Sequence, residues 1–498
     1  METLYRSTRE TASQTMTSSQ AVLQGLTPDG GLFVPVTLPH ADFDFDQLAN
    51  MSYQAVAYEV LKLFFTDYTE AELKACIQAA YGDQFDDPAI APVAKHGKQY
   101  YLELFHGPTI AFKDLALQIL PHLMTTAAKK NQLTAEVVIL TATSGDTGKA
   151  AMAGFADVDQ TRIIVFYPQA GVSAIQKQQM VTQVGDNTYV IAINGNFDDA
   201  QTKVKELLND PELRAQLAAN QFQFSSANSI NIGRLFPQVA YYVYAYAQMI
   251  KQGQIKNGDE VNFSVPTGNF GDILAGYYAK QLGTPIHKLI CASNRNNVLT
   301  DFFNTGVYNK NREFFLTSSP SMDILVSSNL ERLVFYLTGE DAQQTAALMA
   351  DLQTKGEYRL TPTMRQAITD FWAGFVTEGQ DQHEIKHLYA HHHYTIDPHT
   401  AVASAVAKQY QSATKDQRPM IVVSTASPYK FPNAVLSAIT DQADVTVDGL
   451  AAVDQLHDLI KTPIPATVEN LRTAPVRHDR VSEPDAMAAA IKTILKLN

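Results

Sequence analysis

A lysine with apolar neighbours at the mouth of a helix is the first residue in this chain whose setting suits covalent chemistry. Residues 105–114 read Phe-His-Gly-Pro-Thr-Ile-Ala-Phe-Lys-Asp, which places Lys113 after a Gly107-Pro108 turn and beside Phe112. An amine partly removed from water favours its neutral, nucleophilic form. That form condenses with a carbonyl to give a Schiff base. Taken alone, the same pattern also describes a solvated lysine opening a helix, so the loops downstream must decide.

Residues 265–272 read Val-Pro-Thr-Gly-Asn-Phe-Gly-Asp, the end of a strand and the start of a helix. Gly268 and Gly271 permit close backbone approach, and the N–H groups from Asn269 and Phe270 through Asp272 point out of the helix start. That is a phosphate cradle needing no lysine; the alternative is a structural turn. Residues 143–148, Thr-Ser-Gly-Asp-Thr-Gly, form a second loop of this kind. Thr143, Ser144 and Thr147 offer hydroxyls that suit a carboxylate. A nucleotide P-loop would need glycine at 143 and Ser or Thr after Lys149, where Thr143 and Ala150 stand. In residues 228–234, Asn-Ser-Ile-Asn-Ile-Gly-Arg, the Arg234 fork suits a phosphate that Asn228 and Ser229 would share. The plain alternative is an exposed arginine near a helix start.

Residues 383–387, His-Glu-Ile-Lys-His, match the zinc-protease pattern, and His391, His392 and His393 follow. No third ligand or glycine turn follows at a known spacing, so a polar helix face is preferred and no metal site is expected.

These loops need a frame that gathers them. From residue 99 the pattern is strand, loop, helix, repeated, with apolar runs at 99–105, 135–141, 162–167, 188–194, 261–265, 288–292 and 420–424. Helical spacing occupies 114–124, 149–155, 173–184, 198–208, 234–251 and 272–281. Repeated βα units imply parallel sheets covered by helices, with ligands beyond the carboxyl ends of the strands. The expected fold is therefore α/β. Residues 1–95 read as a separate, mostly helical domain, 304–397 return to helical spacing, and a final helix is expected at 484–497.

Composition sets outer limits. The 498 residues are 45% hydrophobic and 18% charged, enough for an ample core. A net charge of −13 argues against nucleic-acid backbone binding, so an anionic ligand must be held locally. No apolar run reaches the roughly 20 residues that span a bilayer. Residues 1–17 lack a signal-peptide pattern. Cys76 and Cys291 are the only cysteines, which excludes a disulfide framework and points to the cytoplasm.

Together, 105–114, 143–148, 228–234, 268–272, Asp-Pro-His-Thr-Ala at 397–401 and Thr-Ala-Ser-Pro-Tyr-Lys-Phe at 425–431 resemble the threonine synthases. These are fold-type II, tryptophan synthase β-like pyridoxal-phosphate enzymes. Residues 5–9 and 20–35 resemble the extra N-terminal domain of the longer bacterial and fungal form. Residues 292–294 and 319–323 also fall in family-like places. The resemblance covers most of the chain to about Phe431 and implies a domain at 1–95 and a catalytic region at 96–431. Within the latter it implies a smaller lobe at about 130–255, and beyond it a tail, 432–498, packing on the large lobe.

The resemblance also implies roles. Lys113 would carry pyridoxal 5'-phosphate and later shuttle protons. Gly268, Asn269, Phe270, Gly271 and Asp272 would cradle its phosphate. Asp146, where related enzymes often carry Asn, would face its phenolic oxygen, and Thr425 its pyridine nitrogen. Thr143, Ser144 and Thr147 would receive the substrate carboxylate, and Asn228, Ser229 and Arg234 the substrate phosphate. Ser427 departs from the family, which commonly has His there. The implied reaction converts O-phospho-L-homoserine and water to L-threonine and phosphate, the last step of threonine biosynthesis, in a monomer or homodimer with no nucleic-acid or membrane partner. Alternatives are a related phospho-lyase yielding 2-oxobutyrate, an amino-acid dehydratase, which would have no use for the Arg234 cluster, and a non-catalytic paralogue that binds the cofactor.

Overall fold

The computed structural model describes residues 2–10, 14–143, 145–169, 172–195, 197–442, 445, 447 and 449–497. Two sheets carry the loops. In the larger, strand order is Phe371–Phe375, Ile286–Ser293, Val261–Pro266, Met420–Ser424, Gln99–Glu103, Val93–His96. All neighbours are parallel except the last pair, a hairpin that Gly97 closes at φ 64°. Met420–Ser424, central and buried at every position, is a nearly continuous apolar run, as a strand covered on both faces must be. The smaller sheet, ordered Val481–Ser482, Thr188–Ile193, Thr161–Pro168, Glu136–Ala142, Phe222–Ser225, is parallel throughout. Gln99–Glu103, Glu136–Ala142, Val261–Pro266 and Met420–Ser424 each lead into one of the loops singled out above, so strand direction alone collects them at carboxyl ends.

The N-terminal region, expected as a separate domain, packs directly on the larger sheet. Its helices Ser18–Gln24, Tyr53–Leu61 and Glu70–Ala80 and its antiparallel pair Tyr5–Ser7 with Phe33–Pro35 share one apolar core with the larger sheet. Phe64 stacks on Phe236 with ring centroids 4.0 Å apart. Polar contacts reinforce the join: Thr8 Oγ1 and Arg9 Nε donate to Glu331 at 2.6 and 2.8 Å. Phe64→Ala is expected to cost about 3–5 kcal/mol. It should lower the urea midpoint of a single transition shared by both regions; two transitions would show an independent N-terminal core.

Two further boundaries differ from expectation. The stretch 234–251 is split by Pro237 into Ile232–Leu235 and Pro237–Lys251. The second helix packs on Tyr53–Leu61 and Gly271–Gln281, so the small lobe ends before it. The tail divides as well. Pro432–Thr440 packs on the helix Glu378–His392 of the large lobe, and Gly449–Ile460 packs on Pro432–Thr440 and on the small-lobe helix Ala174–Val181. Val481–Ser482 instead pairs with Thr188–Ile193, and Met487–Leu495 buries Met487 and Ile491 on the small sheet. No tail segment holds a core of its own, so each apolar face goes to the nearest uncovered one.

Candidate active site

Lys113 is positioned by its own loop. The Thr109 N–H and hydroxyl donate to Asp114 at 2.8 and 2.7 Å, folding 109–114 into a tight turn. Gly107 is required there, since a Cβ on it would fall 2.6 Å from the Asp114 side chain. The turn is pinned to the loop after Met420–Ser424: the Phe112 N–H donates to the Thr425 carbonyl at 2.8 Å, and the Ser427 N–H to the Ile110 carbonyl at 3.1 Å. Lys113 and Thr425, 312 positions apart by number, are thereby neighbours by main-chain hydrogen bonding.

The Lys113 side chain is 12% exposed, and its Nζ lies 3.8 Å from Asp146 Oδ2. Burial, with Arg234 and Lys430 acting the same way, lowers its pKa to about 8 against the pull of Asp146. Burial would raise Asp146, yet Lys430, Lys113 and the Gln176 amide hold that carboxyl well below its usual range. Gln176 Nε2 donates to Oδ1 at 2.7 Å and Ser321 Oγ to Oδ2 at 3.0 Å. Ser321 is itself held by His399, whose Nε2 accepts the Ser321 N–H at 3.2 Å while Nδ1 faces Asp397 Oδ2 at 2.6 Å.

In the 143–148 loop, Thr143 is buried and its Oγ1 accepts the Gly145 and Gly148 N–H groups at 3.0 and 2.9 Å. Its oxygen accepts in shaping the loop, and its O–H makes no hydrogen bond among the described residues. Thr147 is half-buried in the first helical turn, and Ser144 lies outside the described residues.

The 268–272 loop opens the helix Gly271–Gln281 through Phe270, which takes the left-handed conformation at φ 64°. A Cβ at Gly268 would meet the Ser321 carbonyl at 2.6 Å, so this approach requires glycine. The main-chain N–H groups of Asn269, Phe270, Gly271 and Asp272 make no hydrogen bond among the described residues. The Asp272 carboxylate turns away from them, accepting the hydroxyls of Tyr241 and Tyr242 at 2.6 and 2.7 Å. Burial raises its pKa to about 6, with the two hydroxyls opposing. Asp272 therefore offers the loop only its N–H.

Arg234, on the short helix Ile232–Leu235 that Asn231 caps, is buried with one protein hydrogen bond, Nη1 to the Ala227 carbonyl at 3.0 Å. It has no carboxylate partner among the described residues, and burial lowers its pKa to about 10. An unpaired buried guanidinium is costly and suits an anion. Asn228 accepts the Thr141 hydroxyl at 3.3 Å, and Ser229 Oγ accepts Asn329 Nδ2 at 3.1 Å. Asn329 also donates to the Asn269 carbonyl at 3.0 Å, tying the two anion-suited loops together. Arg332, fully buried, holds Asn329 and Ile230 and reaches the Phe33 carbonyl at 2.9 Å.

Thr425 is buried, and its hydroxyl has no partner among the described residues. Gln176, Ser321, His399, Asn329, Arg332 and Lys430 escaped the sequence reading as site residues. Ser321, His399 and Lys430 lie in segments already marked, and only packing shows where their side chains go. The His383–His387 pattern falls on Glu378–His392, but Glu384 is buried and accepts Ser404 Oγ at 2.7 Å and Lys408 Nζ at 2.7 Å. It cannot serve as a general base, and among the described residues no metal-holding group of His, Cys, Asp or Glu is found.

Three family models match in succession: "Threonine synthase N terminus" over residues 4–81, "Pyridoxal-phosphate dependent enzyme" over 90–426 and "Threonine synthase, C-terminal" over 400–494. Threonine synthase of Saccharomyces cerevisiae is 34% identical over 507 residues, covering 95% of this chain and 97% of that protein. Threonine synthase-like 1 of Macaca fascicularis is 40% identical over 84% of this chain, which spans 58% of that protein's length. The crystal structure of pyridoxal-phosphate-bound threonine synthase from Brucella melitensis superposes with a TM-score of 0.87 at 35% identity, covering 99% of this chain and 100% of that one.

Proposed function

Since this chain belongs to the threonine synthase family of pyridoxal-phosphate-dependent enzymes, we propose that it converts O-phospho-L-homoserine and water to L-threonine and phosphate. The observation that carries the reading is a pair of anion sites of different chemistry beside one buried amine. Unpartnered N–H groups at 269–272 suit a phosphate that stays, and the unpaired Arg234 guanidinium suits one that leaves. The donor set also fits the rest of the cofactor: a free Thr425 hydroxyl for the ring nitrogen, and a Lys113 amine of lowered proton affinity for the aldehyde.

When bound, pyridoxal phosphate supplies a conjugated ring that accepts the electron pair released at the substrate Cα. The protein does the rest. The N–H groups of Asn269, Phe270, Gly271 and Asp272 would hold the cofactor phosphate, and Asp146 would face the phenolic oxygen. The 143–148 loop, through Ser144 and Thr147 and a main chain shaped by Thr143, takes the substrate carboxylate. The Lys113 amine, once free, would take the Cα proton, pass it on and then take a Cβ proton, which makes the Cγ–O bond labile. Arg234, with Asn228 and Ser229, holds the phosphate as that bond breaks. The two abstracted protons and the one from water would then go to the leaving phosphate, Cγ and Cα, and the water hydroxyl to Cβ, giving threonine and leaving the Lys113 amine free to hold the cofactor again. We place the reaction in the cytoplasm, in a monomer or homodimer without nucleic-acid or membrane partners. Among the described residues no helix is long and apolar enough to cross a membrane.

The test is product identification by NMR from purified chain, cofactor and phosphohomoserine. Threonine with equimolar phosphate is expected; 2-oxobutyrate would establish the phospho-lyase reading instead. A pH dependence also follows. Only the neutral amine attacks an aldehyde, so capture of added pyridoxal phosphate by cofactor-free chain should quicken about tenfold per pH unit and level off near the Lys113 value of about 8. Stopped-flow absorbance measures this, and a rise unbroken to about pH 10 would mark an ordinary solvated lysine.

A further inference from the structure

None of the roles above uses Lys430, yet its side chain is fully buried at the junction of the two lobes. It ends the 3₁₀ turn Pro428–Lys430, whose first N–H groups are capped by Ser427: the Tyr429 N–H donates to Ser427 Oγ at 3.3 Å. Its Nζ donates to the Thr109 carbonyl of the lysine loop at 2.8 Å and to Gln179 Oε1 of the small lobe at 3.3 Å, and lies 3.3 Å from Asp146 Oδ1. Asp146 thus stands between two ammonium groups, Lys430 at one oxygen and Lys113 at the other. A buried carboxylate left without a cation costs several kcal/mol. An asparagine at that position, as related enzymes often carry, would need no such partner.

We propose that Lys430 is a positioning residue for the reaction: it balances the Asp146 carboxylate and holds it, charged, beside the Lys113 amine. The inference rests on the reading of Lys113 as the cofactor's lysine. Its consequence is a sign rule. Without Lys430, the Asp146 charge falls wholly on the Lys113 nitrogen and strengthens its hold on a proton. Without the Asp146 charge, Lys430 repels a proton from that nitrogen. Removing both restores the balance. The other charged groups facing this cluster are Arg234, which acts on Lys113, Asp114 and Lys149, which face Lys430, and His399, which faces Asp146. They are common to all variants.

The experiment is a spectrophotometric pH titration of the cofactor band in the holoenzyme for the parent, K430M, D146N, K430R and the double variant K430M/D146N. The midpoint is expected to rise by about one unit in K430M and fall by a similar amount in D146N, since Asp146 lies 3.8 Å from the Lys113 nitrogen and 3.3 Å from the Lys430 nitrogen that balances it. K430R and the double variant should lie within about half a unit of the parent. If K430M does not fold, the double variant carries the test, because it buries no uncompensated charge. A double midpoint that tracks D146N, or single variants shifted in the same direction or not at all, overturns the role of Lys430. A parent with no pH-sensitive band attached to Lys113 overturns the underlying reading as well.

Discussion

Lys113→Ala should lose at least about 10⁴-fold in kcat, because in the proposed mechanism one residue both carries the cofactor and moves the protons, and a positioned acid–base group alone contributes about 10²–10⁴. The chain should nonetheless fold normally. The amine is buried against its own preference, with a pKa lowered to about 8, so its removal relieves a desolvation penalty. Asp146 keeps Lys430, Gln176 and Ser321 as partners. The variant is also expected to retain pyridoxal phosphate, since the N–H groups at 269–272 and the Thr425 hydroxyl are untouched. Its absorbance should be that of a free aldehyde rather than of a lysine-linked one. A variant with parental turnover, or one whose spectrum still reports a lysine linkage, would remove the central residue from the mechanism.

Arg234→Ala has the second-largest expected effect, and of a different kind. Truncating one partner of a buried, charge-assisted contact costs about 3–4 kcal/mol, which is roughly a hundredfold to several-hundred-fold loss in kcat/KM at about 1.4 kcal/mol per tenfold. The cofactor band should not change, because Arg234 bonds within its own loop, to Ala227, and the proposed site for the other phosphate is a separate set of main-chain donors. Lysine at 234 should recover only part of the loss, since a point charge does not reproduce the planar fork. Steady-state kinetics beside an absorbance scan measures both halves. Loss of the cofactor band in Arg234→Ala would count against the division of labour between the two anion sites.

The two variants bear on different sources of knowledge. Residues whose role depends on local backbone are legible in the chain itself. Glycines at 107, 268 and 271, a strand leading in and a helix leading out set the shape of a loop whatever surrounds it. Lys113, the 268–272 cradle and Arg234 are recognisable for that reason, and strand direction predicts that their loops meet. Relations between side chains distant in sequence are not legible in this way. Nothing near Asp272 announces that Tyr241 and Tyr242 will claim its carboxylate. Nor does the 143–148 loop reveal that the Thr143 oxygen accepts two of its own N–H groups.

By itself, then, the sequence determined the α/β class, the order of its strands and helices, and the loops able to grip a phosphate, hold a carboxylate or present an amine. These follow from hydrophobic periodicity and from backbone geometry that glycine and proline control over a few residues. Only the tertiary structure decided that the N-terminal helices share the catalytic core, that the tail is divided between both lobes, and that Lys430 faces Asp146. Such pairings depend on which apolar faces are left uncovered once every other element has packed. Burial then makes an unpaired charge intolerable, so the partner is chosen by the whole fold and not by any segment of it.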